Sequence, residues 1–295
     1  MKIIFIGSVE FSAKTLEKLI DIDANVVGVI TKESSAFNSD FRNLKPLAKL
    51  HGIPTLYSNN INSEETLLWI RKLKPDILMC FGWSNLIKKE VLEVARMGVV
   101  GFHPALLPNN RGRHPLIWAK ALGLEKSGNT FFFMDEGADT GDILSQKSFK
   151  IKKEDDASSL YQKMVDLAII QIPEFHDQLE SGNYPRTSQD KNAGNTWRKR
   201  SIKDGLIDFR LSTRQICNLV RALTKPYAGA HIAIKKNNYV VWKVEEGQTE
   251  ALVINIEPGK VLSIVENKIE VKTGDGSVWL VNHELKALPK IGTYL

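Results

Sequence analysis

The feature that most constrains the fold is an alternation in the first half of the 295-residue chain. Short runs that are apolar almost throughout (KIIFIG, NVVGVIT, DILMCFGW, VVGF, NTFFFM) are separated by segments whose apolar residues recur at helical spacing (AKTLEKLI, LKPLAKLHG, SEETLLWIRKLK, VLEVARMG, PLIWAKALG). A strand with no polar face must be covered on both sides, and a parallel sheet between helix layers provides that cover. The expected fold class is therefore α/β, opening with a doubly wound, mostly parallel, Rossmann-like sheet. Ligands of such sheets bind beyond the C-terminal ends of the strands. Ser63 is placed to cap one helix and Gly52 to close another.

A long helical pattern then runs from about Asp156 to Glu180, with a kink expected at Pro173. The stretch SGNYPRTSQDKNAGNTWRKRS is polar and turn-rich, a linker by composition. One more helix, RQICNLVRALT, leads into AHIAI, YVVWKV, KVLSIV and KIEVKTGDGSVWLV, strand-like runs spaced as in a small C-terminal β-barrel or sandwich. The expected division is a catalytic domain over 1–189, a linker over 190–204 and an OB-like β domain over 205–295.

Charge separates these parts. The formal net charge is +6, yet residues 191–295 carry 17 Lys and Arg against 10 Asp and Glu, leaving the rest close to neutral. A basic C-terminal part fits an anionic partner, or it is simply a lysine-rich solvated face. The IIFIG at the N-terminus is too short for a secretory core or a membrane span, so a cytoplasmic protein with no membrane association is expected. Cys80 and Cys217 make no disulfide framework and read as buried structural thiols, and no Cys/His spacing suggests a metal.

The chemistry concentrates in VVGFHPALLPNNRGRHP. GSVEFS lacks the glycine pattern of a dinucleotide site, and neither a P-loop nor a nucleophile elbow appears. What remains is His103, just beyond one strand, and the carboxylates Asp135, Glu136, Asp139 and Asp142, just beyond another. If these strands are parallel neighbours, His103 meets one of the carboxylates at a shared rim. A carboxylate fixes the tautomer of a histidine and supports its charged form, which suits proton transfer near neutral pH. Taken alone, Asp-Thr-Gly-Asp is also an ordinary turn.

The pair HPALLP..RGRHP and MDEGADTGDIL, with thirty-six residues from His103 to Asp139, resembles the formyltransferases that use 10-formyltetrahydrofolate. GSVEF near the start, GLIDF and RALTKPYAGAH further on, and KTGDGSVWLV near the end extend the likeness over nearly the whole chain. The resemblance implies attack of a primary amine on the formyl group of 10-formyltetrahydrofolate. His103 would accept the amine proton or steady the oxyanion, and Asp139 would orient His103. Trp83, Leu86, Gly137, Asp139 and Asp142 would hold the folate. Arg111, Arg113 and Asn110 would contact the acceptor, with a second role open for Arg111 as anchor of its own loop.

The sequence departs from the family at one place. The asparagine expected two residues before the histidine, which holds the formyl oxygen, is Gly101. Loss of one oxyanion donor costs about 2.7–4 kcal/mol of transition-state stabilisation. Asn85, Asn109 and Asn110 are nearby substitutes, Asn110 foremost. The methionyl-tRNA enzymes of the family carry a basic insertion after the second strand, whereas TKESSAFNSDFRNLKPLAKLHG is shorter and mixed in charge. RGRHPLIWA, with Arg113, is similar to the enzymes that formylate nucleotide-linked amino sugars. The expected acceptor is thus a UDP-linked 4-amino-4,6-dideoxy sugar on the way to a surface glycan of the pseudaminic-acid type. Methionyl-tRNA is the alternative, favoured by the basic C-terminal part. A formyltetrahydrofolate hydrolase or an inactive folate-binding relative is a third reading, and the resemblance allows a homodimer.

Overall fold

The computed structural model describes residues 1–35, 40–190, 192–247 and 255–295. The chain opens with β1 (Ile3–Ile6), α1 (Glu10–Asp21), β2 (Val26–Thr31), α2 (Lys45–Leu50), β3 (Thr55–Tyr57), α3 (Glu64–Leu73), β4 (Ile77–Cys80), α4 (Lys89–Leu92) and β5 (Val99–His103). It continues with β6 (Arg111–Gly112), α5 (Pro115–Ala121), β7 (Lys126–Phe133), β8 (Ile143–Lys150), α6 (Ala157–Ser181) and β9 (Thr196–Trp197). After a 3₁₀ turn come α7 (Thr213–Leu223), β10 (Ala230–Ile234), β11 (Asn237–Glu246), β12 (Val261–Val265), β13 (Lys268–Lys272) and β14 (Ser277–His283).

Two compact units result. One comprises Met1–Gly112, Ser127–Phe149 and Gln162–Trp197; the other comprises Arg113–Lys126, Lys150–Tyr161 and Arg198–Leu295.

The first unit is built on a seven-stranded sheet in the order β3-β2-β1-β4-β5-β7-β8. β1 pairs in parallel with β2 and β4, β2 with β3, and β4 with β5. Every residue of β1 and β4 is buried, as two-sided cover requires. Ser63 caps α3 by accepting the Thr66 N–H, and Gly52 follows α2 at φ +67°. α6 continues through Pro173 to Ser181.

The expected parallel neighbour of β5 is antiparallel. Val100 pairs with Phe133 and His103 with Thr130, so β7 runs opposite to β5. A parallel return needs a crossover helix laid back on the sheet. The only helix between the two strands, α5, belongs to the second unit and packs on α7. The chain therefore re-enters the sheet in the reverse direction.

Five phenylalanines tie the strands of this unit together. Phe131 on β7 lies 5.1 Å from Phe81, 5.0 Å from Phe102 and 4.7 Å from Phe175 of α6, and Phe102 stacks on Phe11 at 4.2 Å. Each such ring contributes about 1.5–3 kcal/mol by burial. Since Phe102 immediately precedes His103, this cluster fixes the end of β5.

The second unit carries a five-stranded sheet ordered β10-β11-β14-β13-β12, with antiparallel pairing throughout. α7 lies on it, its buried face Ile216, Cys217, Val220 and Leu223, and its N-terminus is closed by a capping box between Ser212 and Gln215. Both cysteines are free and buried, and burial pushes the Cys80 thiol up to about 12. Among the described residues no helix is long and apolar enough to cross a membrane, and no cluster of ligating side chains would hold a metal ion.

Candidate active site

His103 closes β5 and is buried, its side chain 5% exposed. Its Nε2 stands 2.7 Å from the Asn110 carbonyl oxygen and its Nδ1 3.5 Å from Asp139 Oδ2. A carbonyl only accepts, so Nε2 carries the proton of the neutral ring and Nδ1 is its bare, basic nitrogen. A proton gained there sits opposite a carboxylate. Of the four carboxylates considered from the sequence, Asp139 is the one placed on His103.

Antiparallel pairing makes that meeting less direct than a shared rim. β7 ends at Phe133 beside Val100, three residues short of His103, and the chain from Met134 to Asp142 folds back to cover the difference. The two ends of this loop are closed by the Phe133 N–H donating to the Asp142 carbonyl at 2.8 Å. Gly141 is required, because a Cβ there would lie 1.7 Å from the Phe133 oxygen. Asp135 Oδ1 accepts the Gly137 N–H at 3.0 Å and the Thr140 hydroxyl at 2.6 Å. Glu136 is exposed, and Asp142 accepts the Ser188 hydroxyl and faces Arg186 at 3.5 Å.

Asp139 itself holds a left-handed backbone, φ +59°, uncommon for a residue with a side chain. Its Oδ2 accepts the Gly112 N–H at 2.9 Å, while its carbonyl accepts Arg111 Nε at 3.2 Å and Gln189 Nε2 at 3.0 Å.

Of the two roles open for Arg111, the anchor is the one its geometry fills. The residue is 8% exposed, and its guanidinium also donates to Gln189 Oε1 and to the carbonyls of Ala193 and Asp190. The backbone is tied as well: Arg111 pairs with Thr196 across β6 and β9, and the Asn110 N–H donates to Asn195 Oδ1. The Asn110 side-chain amide has no hydrogen bond among the described residues, and Asn85 donates to the Asn59 carbonyl.

Gly101 is closely packed. A Cβ added to it would meet Met134 Cγ at 2.8 Å and Phe132 Cζ at 3.2 Å, so the Met134 side chain fills the space that any side chain at 101 needs. Trp83, on the segment after β4, is half-buried with Lys32 Nζ 4.9 Å from its ring centre, and its buried Nε1 has no hydrogen-bond partner among the described residues. Leu86 is 65% exposed and Gly137 also faces solvent.

In the second unit Arg113 is exposed and begins a basic cluster. His114 is held below the usual imidazole range, first by burial and then by the charges of Arg200, Arg113 and Lys199. The Trp118 ring lies 5.2 Å from the Arg198 guanidinium and 5.5 Å from that of Arg200, and its Nε1 donates to the Arg198 carbonyl. Arg198 forms a bidentate pair with Asp204, and Arg200 donates to the Asp204 carbonyl.

The sequence shows no sign of Gln189, Asn195 or Met134 as parts of the site. The first two lie in the stretch with linker composition, where polar residues are expected for solvation alone, and Met134 reads as an ordinary strand end.

Comparison with known proteins decides the family. Residues 1–175 match the model described as formyl transferase, and residues 200–291 match that of the formyl transferase C-terminal domain. The chain belongs to the formyl transferase family. It is 30% identical over 295 residues to the methionyl-tRNA formyltransferase of Geobacter metallireducens, covering 99% of this chain and 93% of that one. The formyl transferase fold is also seen in the N-formyltransferase of Helicobacter canadensis, solved with folinic acid and dTDP-3-aminofucose: TM-score 0.72, 20% identity, 95% of this chain and 98% of that one. HypX of Aquifex aeolicus, solved with tetrahydrofolic acid, shares it at TM-score 0.67 and 20% identity, over 96% of this chain. The present formyltransferase spans only 44% of HypX.

Proposed function

We propose that this formyltransferase carries a formyl group from 10-formyltetrahydrofolate to the primary amine of a nucleotide-linked amino sugar, with His103 and Asp139 as its acid–base pair. The observation that carries the reading is the setting of His103: buried, Nε2 on the Asn110 carbonyl and Nδ1 toward Asp139. As the amine nitrogen bonds to the formyl carbon, the nitrogen becomes acidic and His103 takes its proton. Asp139 stabilises the imidazolium so formed. The bond from the formyl carbon to the folate nitrogen then breaks, that nitrogen gains a proton, and formamide and tetrahydrofolate leave.

The donor is assigned to the surface made by Trp83, Leu86 and the loop from Gly137 to Asp142. Leu86, exposed two residues before the end of the segment that follows Trp83, offers an apolar contact of the kind a flat heteroaromatic ring takes. The H. canadensis enzyme, bound to folinic acid and an amino-sugar nucleotide, supports both halves of the reading by analogy of fold. The acceptor's phosphates are assigned to Arg113, exposed and next in sequence to Gly112, since a guanidinium grips phosphate oxygens in pairs.

A second reading, formylation of methionyl-tRNA, is favoured by the 30% identity to the Geobacter enzyme and by the basic C-terminal part. One assay separates the two: 10-formyltetrahydrofolate offered with UDP-linked 4-amino-4,6-dideoxy sugars and methionyl-tRNA together, products read by mass. A formyl group gained by the sugar nucleotide is the expected result. A gain on the tRNA alone would replace the first reading with the second, and formate release without either acceptor would indicate a hydrolase.

A further inference from the structure

A segment far along the chain binds the turn from which Asp139 reaches His103. The left-handed backbone of Asp139 and the folded-back loop are not stabilised by strand pairing, so other groups must fix them. Gln189 occupies the centre of that arrangement. Its Nε2 donates to the carbonyls of Asp139 at 3.0 Å and Gly141 at 2.7 Å, spanning the turn on which Asp139 sits. Its Oε1 accepts Arg111 Nη2 at 2.8 Å, and Arg111 Nε in turn reaches the Asp139 carbonyl. One amide thus uses its donors on the carboxylate loop and its acceptor on the loop after His103.

The chain beyond Gln189 continues the same grip. Ala193 and Asn195 carbonyls and the Asn195 side chain bind Arg111 and Asn110, and Gly194 lies so near Pro108 that a Cβ would fall 1.9 Å from its oxygen. Asn110 in turn presents its carbonyl to His103. The stretch read from composition as a linker is therefore a strap that sets both partners of the histidine.

We infer that Gln189 is a positioning residue, acting with Arg111 to keep the Asp139 carboxylate aimed at His103, an inference that rests on the catalytic reading above. Gln189 touches no reacting atom; its effect on the rate passes through Asp139.

A double-mutant cycle in single-turnover formyl transfer tests this, using whichever of the two offered acceptors the wild type formylates and checking that each variant keeps its melting transition. Gln189→Ala is expected to lower the rate by about ten- to a hundredfold, with acceptor KM within about twofold of wild type, since Gln189 lies outside the groups assigned to the acceptor. In the Asp139→Asn background, the same change is expected to cost less than about twofold, because no carboxylate remains to be aimed. Gln189→Met, which keeps the bulk and loses both polar functions, replaces the alanine variant if that one fails to fold.

A wild-type rate in Gln189→Ala or Gln189→Met overturns the inference. So do losses that multiply fully in the double variant, which mark a general structural role. A wild-type rate in Asp139→Asn alone is a different failure: it removes the catalytic reading itself.

Discussion

At the scale of single residues, Gly101 shows how a departure from a family pattern is absorbed by packing. Met134 has taken the room, so restoring an asparagine at 101 brings its Cβ to 2.8 Å from Met134 Cγ. Overpacking of this kind costs about 1–3 kcal/mol. Gly101→Asn is expected to lower the melting temperature and leave formyl transfer no faster; a faster enzyme would mean that Met134 yields and that an oxyanion donor was missing. Arg113 offers a second test at this scale. Loss of a charge-assisted hydrogen bond to phosphate costs about 1.5–3 kcal/mol, so Arg113→Ala should raise the KM for a sugar nucleotide about ten- to a hundredfold, read from initial rates. An unchanged KM would remove Arg113 from the acceptor site.

At the scale of elements, the position of His103 depends on the phenylalanines that lock β5 to β7 and α6. Phe131 touches three of the others and is fully buried, and truncating such a ring costs about 3–5 kcal/mol. Phe131→Ala should therefore shift the denaturant midpoint by a large fraction of the unit's stability, and a shift below about 1 kcal/mol would mean that the cluster does not hold the sheet. Much of this level is legible in the sequence. The apolar runs of β1, β2, β4 and β5, the Ser63 cap and the helix of residues 157–181 follow from periodicity and capping chemistry. The direction of β7 does not, because it depends on where α5 packs, a tertiary choice with no local signal. β8 carries no clear sequence signal for a related reason: its alternating burial belongs to a sheet edge, and ILSQKSFK is too polar to stand out. His103 and Asp139 were legible through the resemblance, whereas Gln189 and Asn195, polar residues in a polar stretch, were not.

At the scale of the whole molecule, stability should respond to acid through Asp204. Its carboxyl is held well below the usual carboxylate range, first by the hydrogen bonds from Arg198, then by those from Ser201 against an opposing burial effect. A carboxyl depressed in the folded state stabilises the fold above its unfolded value, near 3.9, and that contribution is lost as pH falls below it. Wild type should therefore lose more stability between about pH 5 and pH 2 than Asp204→Asn does, in denaturation curves taken across that range. Parallel losses would show that the pair with Arg198 is mere surface charge.

The role proposed for Asp139 is to act through His103 in formyl transfer. Its most direct test is the single-turnover rate of Asp139→Asn beside wild type, with 10-formyltetrahydrofolate and a formylated acceptor, in a variant whose melting transition is intact. Acid–base catalysis contributes about 10²–10⁴-fold, so the expected result is a rate at least about a hundredfold lower with acceptor KM little changed. A rate within about threefold of wild type would contradict the claim and leave the contact between Asp139 and His103 a feature of packing alone.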